Sequence, residues 1–190
     1  MKIKKAISII IIICILLFGG RYAVYKYIFP FKHEDAITKY SNEYNLDPRF
    51  VLSIIKAESK FNSQARSNKN AVGLMQITEE TAEWVAEQMN LKDYSPDKLY
   101  EEEYNIKMGC WYLNDLENEF GSQDLVIAAY NAGRGTVNNW LSNPKYSDDG
   151  ISLTYIPYSE TKNYVERVNV YYKIYQKLYD WYTKKGNNVI

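Results

Sequence analysis

From Ala6 to Gly20 the chain reads AISIIIIICILLFGG without one charged residue, and Arg21 closes the run. An uncharged stretch of this kind ends up in lipid, in a protein core, or in the apolar part of a secretion signal. Isoleucine fills seven of the nine positions from Ile7 to Ile15, which suits lipid better than a core. A bilayer-spanning helix takes about 20 apolar residues, and Tyr22-Ala23-Val24-Tyr25 can carry the helix on to the interface. No small-x-small cleavage signature follows the run. Cys14 sits mid-run behind Ile13, where a lipoprotein site would need a small residue. The expectation is an uncleaved single-pass anchor over residues 1–21. The alternative is a cleaved signal, which would make the body a secreted protein. Lys2, Lys4 and Lys5 precede the run and put Met1 in the cytoplasm, with everything after Arg21 outside the cell membrane.

Charge divides the chain in the same place. Residues 1–32 carry six bases and no acid, leaving 17 bases against 23 acids in the remainder, a net of −6. An acidic body argues against nucleic acid as a partner, because duplex binding draws on a basic face. Two cysteines and one histidine make neither a disulfide scaffold nor a zinc site. Cys110 reads as a small core hydrophobe and His33 as a residue of an exposed linker. A length of 190 residues suits one ordinary domain plus an appendage. No feature designates a protein partner.

Residues 22–33 are basic and aromatic and read as a juxtamembrane stalk. Beyond it the hydrophobic period is helical. Ile37, Tyr40 and Tyr44 predict a helix over Glu34–Tyr44. Asp47-Pro48 is a helix start, with Asp as N-cap and Pro in the first turn, and Val51, Ile54, Ile55 and Glu58 follow on it. Ser59–Val72 is polar and turn-rich, a loop. Helices are predicted over Thr78–Met89 and Glu101–Phe120, with Tyr104, Met108 and Trp111 turned inward. Gly121-Ser122 caps a further apolar run, Leu125–Tyr130. Asn143–Pro157 is a long loop. Ser159–Lys184 is the last helix, striped by Tyr164, Val168, Tyr171, Tyr175, Leu178 and Tyr182. The fold class is mainly α.

Three places invite chemistry. Glu58 follows Ile54 by four residues and Ile55 by three, so it lies on the apolar face of its helix. Burial raises a carboxyl's pKa, and a general acid needs that near neutral pH. A helix-end Glu turned to solvent, or capping the loop behind it, is the competing reading. Gly73-Leu74-Met75-Gln76 suggests backbone close to a ligand. Ala128-Ala129-Tyr130-Asn131-Ala132-Gly133 allows tight helix packing and a natural helix end. Tyr130 and Asn131 there either face a cleft or merely cap. The tyrosine stripe of the last helix reads as packing.

Taken in order, Glu58-Ser59, Gly73-Leu74-Met75-Gln76, Ala129-Tyr130-Asn131-Ala132-Gly133 and Ile156-Pro157-Tyr158-Ser159-Glu160-Thr161-Lys162-Asn163-Tyr164-Val165 resemble the successive motifs of the family 1 lytic transglycosylases, relatives of goose-type lysozyme. The resemblance runs from about Ala36 to Tyr172. It implies a lysozyme-like helical catalytic domain over residues 34–185, with 186–190 as a tail. It also implies a peptidoglycan glycan strand as substrate, no metal or other cofactor, and a 1,6-anhydromuramic product end. By position, Glu58 matches the family's catalytic acid/base and Ser67 a serine that helps position the muramic residue. Met75 and Gln76 match residues lining the sugar sites. Tyr130 matches a tyrosine near the catalytic carboxyl and Asn131 its neighbour, while Glu160 and Tyr164 match cleft-facing residues of the closing motif. Ser63 stands where Pro is common, the 66–72 loop lacks a usual Gly, and Arg134 replaces a frequent Pro. The rival readings are a hydrolytic muramidase, with Glu160 as second carboxylate, and a non-catalytic peptidoglycan-binding module.

Overall fold

A computed structural model of the chain describes residues 19–180. The chain divides into two compact units, Met1–Lys32 and His33–Ile190. In the first, residues 19–23 are α-helical and pass into a π-helix over Val24–Ile28. It closes where Phe29 N–H donates to the Val24 carbonyl at 2.8 Å, one residue before Pro30. The residue ahead of a proline is pushed out of the α region, so the helix stops there. Arg21 donates to the Tyr25 hydroxyl at 2.9 Å, and the Lys26 ammonium lies 5.5 Å from the ring centres of Tyr22 and Tyr27. The anchor expected over residues 1–21 lies almost wholly outside the described residues. Among those described, no helix is long and apolar enough to cross a membrane.

The second unit is helical. Its α-helices are α1 (Glu34–Glu43), α2 (Pro48–Glu58), α3 (Glu79–Gln88), α4 (Glu102–Phe120), α5 (Gln123–Ala132), α6 (Arg134–Leu141) and α7 (Ser159–Leu178). A 3-10 turn over Pro96–Tyr100 leads into α4. Among the described residues the β features are two isolated bridges, Arg66 to Val72 and Val72 to Ile77. Helix α4 packs against α1, α3 and α5, and α7 packs against α2 and α5. Leu52, Ile54, Ile55, Met108, Leu113, Ile127, Ala128 and Val168 meet in the core, none more than 2% exposed. Cys110 is buried with them.

Helix α2 starts as its sequence dictates. The Asp47 carboxylate accepts from Arg49 N–H at 2.9 Å, and Pro48 opens the first turn. The same carboxylate takes the Arg49 guanidinium and the Tyr172 hydroxyl, the latter at 2.8 Å. Burial works to raise the Asp47 pKa, but these bonds outweigh it and hold the group below its ordinary value. Tyr172 thus ties α7 to the start of α2 and, as described below, Tyr164 ties it to the end. The two helices therefore run antiparallel.

Three sequence expectations change. His33 is partly buried rather than lying in an exposed linker, with Nδ1 2.9 Å from Glu102 Oε2. Helix α6 was not anticipated. Gly133 adopts φ 90°, ψ 142°, which ends α5, and the chain restarts at once as a new helix with Gly133 as its N-cap. The helix end at Gly133 was expected from Asn-Ala-Gly; without a polar turn after it, the sequence carries no sign of the restart. Helix α7 ends at Leu178, short of the expected Lys184, and Tyr182 of the stripe lies outside the described residues.

Candidate active site

Glu58 is the last residue of α2, and only part of its surface is open to solvent. Tyr164, 2% exposed and one turn into α7, donates its hydroxyl to Glu58 Oε1 at 2.5 Å. Burial pushes the Glu58 carboxyl up to about 7, while the Tyr164 hydrogen bond and the charge of Arg167 pull in the opposite direction. The carboxylate also stands at the negative end of the α2 dipole, which disfavours its ionised form. Burial, and then the Glu58 charge, raise the Tyr164 pKa well above its ordinary value, so this hydroxyl stays a donor.

A cleft of about 360 Å³ opens at Glu58, lined among others by Ser67, Lys69, Gln76, Tyr130, Asn131 and Glu160. A neighbouring cavity of about 270 Å³ shares Lys69, Gln76, Thr78, Tyr130 and Asn131 with it and continues to Tyr112 and Gly133. The two form one groove. A larger hollow of about 460 Å³ beside α3, lined by Glu83, Glu87, Asn90 and Tyr94, shares no residue with the groove. We place the site at the groove, because that is where a desolvated acid meets open space.

The loop between α2 and α3 is shaped by its own side chains. Ser67 Oγ accepts from the N–H groups of Lys69 at 3.2 Å and Ala71 at 3.1 Å. Its hydroxyl proton is left to donate, at the edge of the cleft. Gln76 adopts φ 49°, and its amide donates to the Ala65 and Gly73 carbonyls at 3.0 Å each. That fixes the amide and leaves its oxygen as an acceptor. Gly73 has φ 80°, and a Cβ there would fall 2.2 Å from Asn105 Nδ2 and 2.4 Å from the Leu99 carbonyl. Only glycine fits.

Asn105 was missed in the sequence. Wholly buried on α4, it accepts from Met75 N–H at 2.8 Å and donates to the Val72 and Leu99 carbonyls at 3.0 and 2.8 Å. It is the pin on which the Gly73–Met75 turn hangs. A polar residue at an inward position beside Ile106 was the available signal. Thr78 was also passed over as a cleft residue; it lines both cavities and caps α3 by accepting from Thr81 N–H at 3.2 Å.

The other expected residues fall as follows. Glu58, Ser67, Gln76, Tyr130, Asn131 and Glu160 share the main cleft. Glu160 is exposed there. Met75 differs: it is 0% exposed and its side chain packs at Gly109, where an added Cβ would meet Met75 Sδ at 2.3 Å. Its side chain is therefore core, and it lines neither cavity of the groove. Tyr130 donates to the Met75 carbonyl at 2.7 Å, so Tyr164 rather than Tyr130 makes the hydrogen bond to Glu58. Among the described residues no cluster of His, Cys, Asp and Glu could hold a metal ion.

The family model described as "Transglycosylase SLT domain" matches residues 35–152. The chain belongs to the transglycosylase SLT domain family. Several relatives of this SLT chain are close enough to align over most of its length. It is 35% identical over 151 residues to a soluble lytic murein transglycosylase of Salmonella typhimurium, covering 78% of this chain and 23% of the relative. It is 32% identical over 168 residues to a membrane-bound lytic murein transglycosylase C of Serratia proteamaculans, covering 77% and 47%. Among solved structures, the 70 kDa soluble lytic transglycosylase of Escherichia coli superposes with a TM-score of 0.72 at 30% identity, covering 85% of this chain and 27% of that one. An inactive glutamate-to-glutamine mutant of the lytic transglycosylase Slt of Pseudomonas aeruginosa gives a TM-score of 0.68 at 32% identity, covering 78% and 24%. The SLT chain thus spans about a quarter of the soluble relatives and about half of the membrane-bound one.

Proposed function

We propose that this SLT-family chain is a peptidoglycan lytic transglycosylase that cleaves the MurNAc–GlcNAc β-1,4 bond without water. The observation that carries the reading is Glu58: a desolvated carboxyl held near 7, bonded to Tyr164 and opening on a groove. The names of its relatives, lytic murein transglycosylases soluble and membrane-bound, support the same reading.

Neutral Glu58 donates its proton to the glycosidic oxygen as the C1–O bond breaks, and the muramic N-acetyl group stabilises the oxocarbenium-like centre. Glu58, now ionised, takes the proton of the C6 hydroxyl of the same sugar, whose oxygen closes on C1. One proton leaves Glu58 and one returns, so the carboxyl ends as it began. The Tyr164 hydroxyl stabilises the ionised form between the two transfers. Intramolecular attack draws on proximity, provided the cleft holds the ring and limits water. Gln76, Asn131 and the Ser67 hydroxyl are the polar groups placed to hold it, and Tyr130, buttressed on the Met75 carbonyl, braces the wall beside them. The chemistry needs no cofactor.

Glu160, a second carboxylate in the same cleft, favours the rival hydrolytic reading. One experiment separates the two. Purified peptidoglycan is digested with the full chain and with Glu58→Gln, and the released muropeptides are weighed by mass spectrometry. Products lighter by one water than reducing muropeptides, absent with the variant, are the expected result. Reducing ends would make the chain a muramidase, and equal cleavage by the variant would remove Glu58 from the mechanism.

The uncharged run Ala6–Gly20 behind three lysines supports a single-pass anchor with a cytoplasmic N-terminus, and residues 22–33 then form the stalk that presents the catalytic domain to the wall.

A further inference from the structure

Among the described residues, Lys69 alone brings a positive charge to the walls of the groove, and it lines both cavities. It sits on a turn that is built rather than loose. Ser67 N–H donates to the Ala71 carbonyl at 2.9 Å, and Ser67 Oγ accepts from the backbone of Lys69 and Ala71. Asn70 closes the turn at φ 59°. Arg66, the nearest other cation in the chain, is engaged with Asn70 Oδ1 at 3.0 Å. Lys69 is exposed and takes part in none of the salt bridges among the described residues. The cation whose charge reaches Glu58 is Arg167, so Lys69 does not serve the acid.

An ammonium held on the rim of a sugar groove, in a body of net −6, brings a charge that neutral sugar does not require. Hydroxyl and N-acetyl groups are met by amides and hydroxyls, which Gln76, Asn131 and Thr78 already provide. What a glycan of the proposed substrate class adds is carboxylate, carried on the lactyl ether of muramic acid or on the peptide attached to it. A lysine on a solvated rim attracts such a group as a point charge and also raises its encounter rate. We propose that Lys69 is a specificity-determining residue that binds a carboxylate on the muramic substituent. This rests on the functional reading above.

The test uses the full chain in detergent and three glycan preparations: peptide-free with free lactyl carboxylates, the same glycan with those carboxylates converted to methylamides, and peptide-bearing. For Lys69→Met we expect kcat/KM on a carboxylate-bearing glycan to fall about five- to tenfold, through KM. The loss should shrink at high salt, and Lys69→Arg should recover most of it. The melting temperature and the pH profile set by Glu58 should not move. A loss on the free-lactyl glycan that vanishes on its methylamide identifies the lactyl carboxylate. A loss confined to peptide-bearing glycan identifies a peptide carboxylate. The same change on all three preparations, or no change on any, overturns the proposal. If the wild-type chain yields no product from any of them, the functional reading itself fails, and the Lys69 assignment fails with it.

Discussion

At the scale of single residues, the Glu58–Tyr164 pair decides both rate and pH response. Glu58 must be protonated to act first as an acid, and burial holds it near 7. Cleavage should therefore fall as pH rises through about 7, read from kcat/KM on a soluble glycan fragment. In Tyr164→Phe the bond that favours the ionised form is gone, so that alkaline limb should move to higher pH while kcat drops about tenfold or more. An unmoved limb would mean the hydroxyl does not govern the acid. Stability carries the opposite signature to an ordinary acidic residue. In the unfolded chain Glu58 ionises near 4.5, whereas in the fold it keeps its proton up to about 7. The folded state thus binds more protons across that window, and stability is lost as pH rises through it. Glu58→Gln, which cannot ionise, should be more stable than wild type above pH 7 by about 3 kcal/mol and equal to it near pH 4, by urea titration. Equal urea midpoints at both pH values would show that burying this carboxylate has no energetic consequence. The inward position of Glu58 was legible because it needed only helical spacing from Ile54 and Ile55. The role of Tyr164 was not legible from periodicity. A tyrosine stripe has the same spacing whether its hydroxyls end in packing or on an acid, and only the resemblance singled this one out.

At the scale of elements, the loop between α2 and α3 is the part most exposed to a small change. Its own turns and two isolated bridges are short, and they hang on Asn105 and on the left-handed Gly73. Gly73→Ala would need a φ that L residues avoid, and its Cβ would overlap Asn105 and the Leu99 carbonyl. We expect a loss of roughly 3 kcal/mol or more, seen as a lower urea midpoint. Asn105→Ala leaves the Met75 N–H and the Leu99 carbonyl without partners and should cost about as much. It should also lower kcat in the protein that remains folded, because the Met75 turn that receives Tyr130 loses its tether. Gly135→Ala is the control. Gly135 lies within the first turn of α6 with nothing within 4 Å of a new Cβ, so the change should be neutral or stabilising by up to about 1 kcal/mol. A stable Gly73→Ala would refute the steric account. Helix positions along this chain were legible from apolar spacing and from the Asp47 cap, whose side chain bonds the turn assigned to it. What stayed hidden were features that need the third dimension: the restart of the chain as α6 straight after Gly133, the burial of Met75 behind Gly109, and a polar pin supplied to the 73–75 turn from α4 thirty residues on.

At the scale of the whole molecule, charge and apolarity divide along the chain as the two compact units do. The six bases of residues 1–32 and the uncharged run lie in one unit, and every residue of the groove lies in the other. If the first unit anchors and the second cleaves, the two functions are separable. The full chain should sediment with membranes and resist extraction at alkaline pH, while the segment His33–Ile190 should stay in the supernatant. On short soluble glycan fragments the two forms should turn over within about twofold of each other, since no group of the proposed mechanism lies before His33. Intact wall sacculi should tell them apart. If residues 22–33 are the stalk, their part through Ile28 is helical, and a helix rises only about 1.5 Å per residue against roughly 3.3 Å for extended chain. The tether is therefore much shorter than its residue count would allow, and the membrane-held form should release less glycan than the freed segment at equal concentration. Inserting a flexible Gly-Ser spacer between Lys32 and His33 should restore part of that release without changing turnover on fragments. A spacer with no effect on sacculi would show that tether length does not limit reach, and a full chain found in the supernatant would remove the anchor altogether.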